Sequence, residues 1–426
     1  MFEHILMRKI VIAIDSLKGC LTSAEANAAA VRGIRRLWPE AEVIQIPVSD
    51  GGEGWLAAFG KGGLAGKGIA EMVEVRVHDP LMRPVTARYL MLGDTAVIEM
   101  AQASGLGLLK PTERDPVRAT TYGTGELVVN AVRRGCRNII VGLGGSATSD
   151  CGMGMIQAVT DGLAKDEGGV SHRGRGLAEI KESTGIRGTK HEVDYEAWDS
   201  ISELADVRFT IATDVTNPLC GKNGAAQVFA RQKFAVEPET GRLADIKERA
   251  ETGQVGGETQ EGGQTKAAVI MGLDARARRF AEDAARHFGF DRQEMAGAGA
   301  AGGLGYAFLQ FMNATRRSGI DILLDAVNFD DLLKEADAVV TGEGAADRQT
   351  LMGKVPYGIL QRAKAHNVPV MLVAGRVSDR EALLRAGFAR VECINPEGLP
   401  VSEAMKPEVA KENLADMMLW GNIFRS

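Results

Sequence analysis

The sequence predicts an α/β protein in which a doubly wound parallel-sheet domain is interrupted by a second, inserted α/β domain. Three observations carry this expectation. Short apolar, β-branched runs alternate with helical periodicity at both ends of the chain. Gly-rich turns join them, and a long central stretch of different texture separates the two ends. With 426 residues the chain also exceeds the ~250–300 at which single cores stop growing.

The first run, 9–14 (KIVIAI), reads as a buried parallel strand and ends at Asp15-Ser16-Leu17-Lys18-Gly19. Thr22, with Glu25 three residues on, forms a capping box that opens a helix. Ala26, Ala29, Ala30, Gly33, Ile34 and Leu37 supply its buried face. Residues 43–48 (VIQIPV) are a second strand, breaking into Ser49-Asp50-Gly51-Gly52-Glu53-Gly54. The same order returns near the C-terminus: a strand at 338–341 ending in Gly342-Glu343-Gly344, a helix at about 356–366, and a strand at 370–374. A helix at about 378–386 and a last strand at 391–394 complete it. Alternation of this kind builds right-handed crossovers and a parallel sheet. The outer domain is expected to comprise 1–70 and 290–426, and the inserted one 71–289. Within the insert, strands are expected at 73–77, 97–101, 139–142 and 207–212, with helices at 125–134 and 151–163. Stretches 165–203 and 250–266 read as loose, and deletion of 252–264 is expected to be tolerated because it cannot bury enough surface to offset ordering.

Hydrophobic residues at 45% and charged residues at 25% are the balance of a globular protein. The formal charge of −6 and the absence of any Lys/Arg block argue against nucleic-acid or membrane partners, while small anionic substrates remain compatible. Five scattered cysteines without a CxxC pair indicate reduced thiols and a cytoplasmic location. No apolar run approaches the ~18 residues of a membrane span, and the first eight residues lack signal-peptide order. The six histidines are isolated, and there is no GxSxG elbow, no Walker A string and no GxGxxG after the first strand.

In an open parallel sheet, ligands bind outside the carboxyl ends of the strands. Asp15, Ser16 and Lys18, Asp50 with Glu53, and Glu343 with Asp347 all fall at such ends. Carboxylates, a hydroxyl and a lysine on one rim suit phosphoryl transfer, which needs Mg²⁺ on carboxylates, a cation on the phosphates and an acceptor for the alcohol proton. The alternative is that these residues cap helices and close turns. The loop 142–148 (GLGGSAT) follows a strand and precedes a helix, so its amides and hydroxyls could approach a phosphate, with Asp150 within reach of a bound metal. A purely structural turn is the alternative there. The run 297–303 (GAGAAGG) is read either as close backbone packing at a domain junction or as a second anion-binding helix start. Asp214, at a strand end, is a candidate base or metal ligand.

These motifs, in this order, resemble the type-1 glycerate kinase family. The matching strings are VIAIDSLKG at 11–19, PVSDGGEG at 47–54, IEMAQASGL at 98–106, TTYGTGEL at 120–127 and GLGGSATSDCGMG at 142–154. ATDVTNPLCGKNGA at 212–225, GAGAAGGLG at 297–305 and TGEGAADRQTLMGKVP at 341–356 follow. The chain departs from the family pattern at Ile14, often Pro, at Ala345, often basic or larger, and at 230–235 (ARQKFA), commonly a GPQKGA-like string. The resemblance implies a flavodoxin-like domain interrupted by a second α/β domain, and phosphorylation of D-glycerate by ATP with Mg²⁺, giving 2-phosphoglycerate in many members. On this basis Asp347 or Asp214 is expected to serve as general base and Lys18 to contact an anion at the reacting centre. Asp15, Ser16, Asp50, Ser104, Asn217 and Lys354 are expected to contact substrate. Gly144, Gly145, Ser146 and Thr148 are expected to hold ATP, and Asp150 and Glu343 the metal. The expected partners are glycerate and ATP, with homo-oligomer formation left open. A kinase for a related hydroxy acid and a non-catalytic sugar-acid binder are the alternatives.

Overall fold

The computed structural model describes residues 8–49, 51–52, 54–61, 70–164, 193–235 and 265–419. Asp50 and Glu53 lie outside these, as does the segment 252–264. Contacts divide the chain into two units. Met1–Glu71, Ala212–Asp214 and Arg317–Ser426 form the first, and Met72–Ile211 with Val215–Arg316 the second. The strands are β1 (Lys9–Ile14), β2 (Glu42–Gln45), β3 (Ala70–His78), β4 (Pro84–Leu92), β5 (Thr95–Glu99) and β6 (Asn138–Gly142). They continue with β7 (Arg208–Ala212), β8 (Thr315–Arg317), β9 (Ala338–Ala346), β10 (Val370–Val377) and β11 (Arg390–Cys393).

The sheet of the first unit runs β2-β1-β9-β10-β11, and every neighbouring pair is parallel. This is the 2-1-3-4-5 order of doubly wound flavodoxin-like sheets, whose crevice opens where the strand order reverses, here between β1 and β9. The register pairs Ile14, the last residue of β1, with Gly342, so the segment after β1 leaves beside the closing residues of β9, and the Asp15 N–H donates to the Gly342 carbonyl at 2.9 Å. Ile10, Ile12 and Ile14 pack on Ala26, Ala30 and Ile34 of helix Ser23–Leu37. Thr22 and Glu25 close the expected capping box, while Leu37, in the last turn, is exposed rather than buried.

The second sheet runs β3-β4-β5-β6-β7-β8, with β4–β5 antiparallel and β5–β6 parallel. Helices Tyr122–Arg133, Met153–Leu163, Lys266–Phe288 and Ala300–Phe311 contribute to its core. Stretch 193–203, expected to be loose, instead carries helix Tyr195–Asp199, capped by Asp194, and buries Trp198 against Phe311. Helix Ala300–Phe311 groups with this unit by contacts, which run to Arg316. The helix is apolar all round and buried along its length, which holds it to this core. Among the described residues no helix is long and apolar enough to cross a membrane.

Candidate active site

In the first unit the crevice end of β1 and β9 gathers several of the expected residues. Asp15 and Ser16 follow β1 half-buried, the Ser16 N–H donates to Asp15 Oδ1 at 2.7 Å, and Lys18 is exposed. Glu343, on β9, is buried; its carboxylate accepts from Thr350 Oγ1 at 2.6 Å and Lys354 Nζ at 3.1 Å. The chain makes this pair because β9 runs to Ala346, turns through the short helix Arg348–Met352, and starts helix Val355–Ala365 at Lys354. Asp347 caps the turn, accepting from the Gln349 N–H at 2.8 Å. That is the turn-closing role the sequence left as an alternative. Asp214 lies half-buried on Ala212–Asp214, which groups with the first unit rather than with the insert.

In the second unit the loop after β6 is bound from several sides. Gly145 takes a left-handed φ of 75° and its carbonyl accepts from the Leu106 N–H at 2.8 Å. The Ala147 N–H donates to the Ser104 carbonyl at 3.0 Å, and Ser104, fully buried, shares a 2.8 Å hydroxyl bond with Thr124. Ser104 therefore holds the loop in place rather than opening onto it. Thr148 packs under Gly302, where Ala301, Gly302 and Gly303 have φ of 52°, 67° and 93°. A Cβ at Gly302 would sit 2.0 Å from the Thr148 carbonyl oxygen. The 297–303 run thus provides close backbone packing inside the second unit, not at a domain junction.

Among the described residues, the amides of Gly144, Gly145, Ser146, Thr148 and Ser149 donate no hydrogen bond, although Thr148 and Ser149 are buried residues. Gly144 and Ser146 are half-buried and Gly145 is exposed, but buried amides nearly always have a partner, so the unpaired amides of Thr148 and Ser149 mark a place for an acceptor. Asp150 sits at the foot of the loop and is heavily used. Its Oδ2 accepts from Thr121 N–H (2.8 Å), Thr121 Oγ1 (2.9 Å), Gly154 N–H (3.2 Å) and Thr120 Oγ1 (3.3 Å), and its Oδ1 from Gly152 N–H (3.1 Å). A carboxylate offers about four lone-pair sites, so these bonds leave little capacity for a cation. Asp150 as placed ties helix Tyr122–Arg133 to helix Met153–Leu163 and fits the metal role poorly. Asn217 donates from Nδ2 to the Asn223 carbonyl at 2.8 Å, closing its own turn.

One residue was not singled out by the sequence. Lys233 is only 1% exposed, and its ammonium donates to Ser146 Oγ at 3.0 Å and to the Thr148 carbonyl at 2.5 Å. Burial pushes its pKa down to about 8, with Asp150 and Cys151 pulling the other way. Its signal was the ARQKFA string, where a lysine follows an apolar helix and has no acidic neighbour in sequence. Among the described residues no group of three or more His, Cys, Asp or Glu is arranged to hold a metal.

Comparison with known proteins defines the class first: this α/β chain is a kinase, an enzyme that transfers phosphoryl groups. The model of the glycerate kinase family matches residues 10–254 and 252–420. Glycerate kinase of Bacillus subtilis (strain 168) is 37% identical over 401 residues, 93% of each chain. Glycerate 2-kinase of Escherichia coli (strain K12) is 37% identical over 373 residues, 87% of this chain and 86% of that one. A solved structure described as glycerate kinase 2 from Salmonella typhimurium LT2 superposes with a TM-score of 0.66 at 33% identity, covering 98% of this chain and 100% of that one. The chain belongs to the glycerate kinase family.

Proposed function

We propose that this enzyme transfers the γ-phosphoryl group of ATP to the 2-hydroxyl of D-glycerate in the cytoplasm, releasing ADP and 2-phosphoglycerate. The observation that carries the phosphate half is that the amides of Gly144, Gly145, Ser146, Thr148 and Ser149 have no partner among the described residues. Such amides at the start of a helix suit phosphate oxygens. The Ser146 hydroxyl stands among them, while that of fully buried Thr148 donates to the Ala301 carbonyl at 3.5 Å.

For the acceptor, the crevice between β1 and β9 supplies the right groups. Lys18 and Lys354 offer cations for the glycerate carboxylate, and Ser16 offers a hydroxyl for its hydroxyls. In the transfer, the glycerate oxygen bonds to the γ-phosphorus as the bond to the ADP oxygen breaks. The alcohol proton passes to a carboxylate, with Asp347 the first choice and Asp214 the second. Mg²⁺ is normally held by one or two carboxylates together with substrate phosphates and water. Glu343 fits that pattern, with two acceptor sites used by Thr350 and Lys354, and Asp15 follows the neighbouring strand. Bound there, the ion would neutralise phosphate charge. Clustered acids favour a kinase over a simple anion binder, because an anion site gains nothing from extra carboxylates without a cation.

The test is a screen of small hydroxy acids, D-glycerate and tartronate among them, for ADP release with Mg-ATP. D-glycerate is expected to give the highest kcat/KM. A larger value for another acid would reassign the substrate, and thermal stabilisation by glycerate without any ADP release would leave a binding protein.

A further inference from the structure

The open amides of the Gly144–Ser149 loop raise the question of what turns them outward. A trans peptide is planar, so its C=O and the following N–H point in opposite directions. Whatever pins a carbonyl therefore aims the next amide the other way. The Gly145 carbonyl is pinned by the Leu106 N–H, which aims the Ser146 amide. The Thr148 carbonyl is pinned by Lys233 Nζ at 2.5 Å, which aims the Ser149 amide. The Ser149 carbonyl is pinned by Arg276 Nη2 at 2.8 Å, from helix Lys266–Phe288.

Lys233 is the unusual member of this set. It reaches the loop from the short helix Ala230–Lys233, whose Ala230 packs with Ala226, Phe234, Ile270 and Leu273 in an apolar cluster. Among the described residues its ammonium has no carboxylate within ion-pair distance; its bonded partners are a hydroxyl and a carbonyl. Burying a charge without a paired acid is costly to a fold, and groups kept on such terms cluster at functional sites.

We propose that Lys233 is a positioning residue for the nucleotide: by holding the Thr148 carbonyl and the Ser146 hydroxyl it turns the Ser149 amide toward the phosphates. This rests on the assignment of the loop as the ATP cradle. The orienting bond is a donor's work, so a neutral donor of similar reach can replace much of it.

The experiment measures the Kd of ADP by calorimetry and the exchange rate of amides 143–150 in the wild-type enzyme, Lys233→Met and Lys233→Gln. Lys233→Met is expected to weaken ADP by about tenfold, to speed exchange in the loop, and to leave KM for glycerate within about twofold. Lys233→Gln, which keeps a donor and most of the volume, is expected to recover most of both losses and also serves if the Met variant does not fold. Unchanged exchange in Lys233→Met would overturn the positioning role. So would a Gln variant as weak for ADP as Met, because the charge rather than the bond would then matter. Faster exchange with unchanged ADP affinity would keep the positioning role and remove the nucleotide from the loop.

Discussion

Gly302→Ala is the sharpest perturbation of the loop that leaves every polar group in place. Gly302 holds φ at 67°, where an L-residue costs about 1–2 kcal/mol. Its new Cβ would lie 2.0 Å from the Thr148 carbonyl oxygen and 2.8 Å from the Thr148 carbonyl carbon. Optimal non-bonded separations are about 3.5–4.0 Å, so helix and loop would have to part by more than about 1 Å. Overpacking of this kind costs about 1–3 kcal/mol, which brings the total to about 2–5 kcal/mol. For a unit of this size that is a loss of about 5–15 °C in Tm. Gly93→Ala is the control, because Gly93 has φ of 58° with nothing within 4 Å of its Cβ position. It should lose only the backbone part, partly offset by a less flexible unfolded chain. Calorimetric melting of both variants, with ADP affinity measured alongside, is the assay. Gly302→Ala is expected to melt well below Gly93→Ala and to bind ADP more weakly. Equal melting temperatures would refute the close approach between Gly302 and Thr148.

Two further outcomes follow from the same geometry. Burial lowers the Lys233 pKa to about 8 from an ordinary 10.5, against the opposing pull of Asp150 and Cys151. Below pH 8 it is charged in both folded and unfolded chains and its burial is costly. Between about pH 8 and 10.5 the folded chain sheds the proton first, so the wild type should gain about 3 kcal/mol relative to Lys233→Met, read as a pH-dependent gap between their urea curves. A pH-independent gap would contradict this. Asp347→Asn and Asp214→Asn each remove a candidate base while keeping shape. The true base should lose about 10²-fold or more in kcat with little change in Tm, and full activity in both would shift the role to Asp15 or Asp50.

Much of the first unit was legible because its signals are local. The KIVIAI run, the Thr22–Glu25 box and the Gly342-Glu343-Gly344 turn each state their own conformation, and β1 and β9 pair as the alternation implied. The ends were less so: β9 and β10 run past their apolar cores into polar crevice residues that periodicity cannot include. In the second unit, β4 opens with Pro84 and helix Lys266–Phe288 begins at the edge of a Gly-rich stretch, so both escaped notice. The site shows the same division. The Gly loop and the acids at strand ends are short patterns. Lys233 joins the loop across 85 residues through a bond to Thr148, and no local pattern encodes such a contact. The motifs mark Ser104 and Asp150 as polar positions but not where their bonds go, which in the structure is to Thr124, Thr121 and the backbone of Gly152 and Gly154.

The most direct test of the central claim is ³¹P and ¹H NMR of purified enzyme with Mg-ATP and D-glycerate at saturation. The expected result is equimolar ADP and a phosphomonoester coupled to the proton on C2 of glycerate. A phosphomonoester on C3 would contradict the assigned position, and the absence of ADP above an enzyme-free background would contradict the phosphoryl transfer itself.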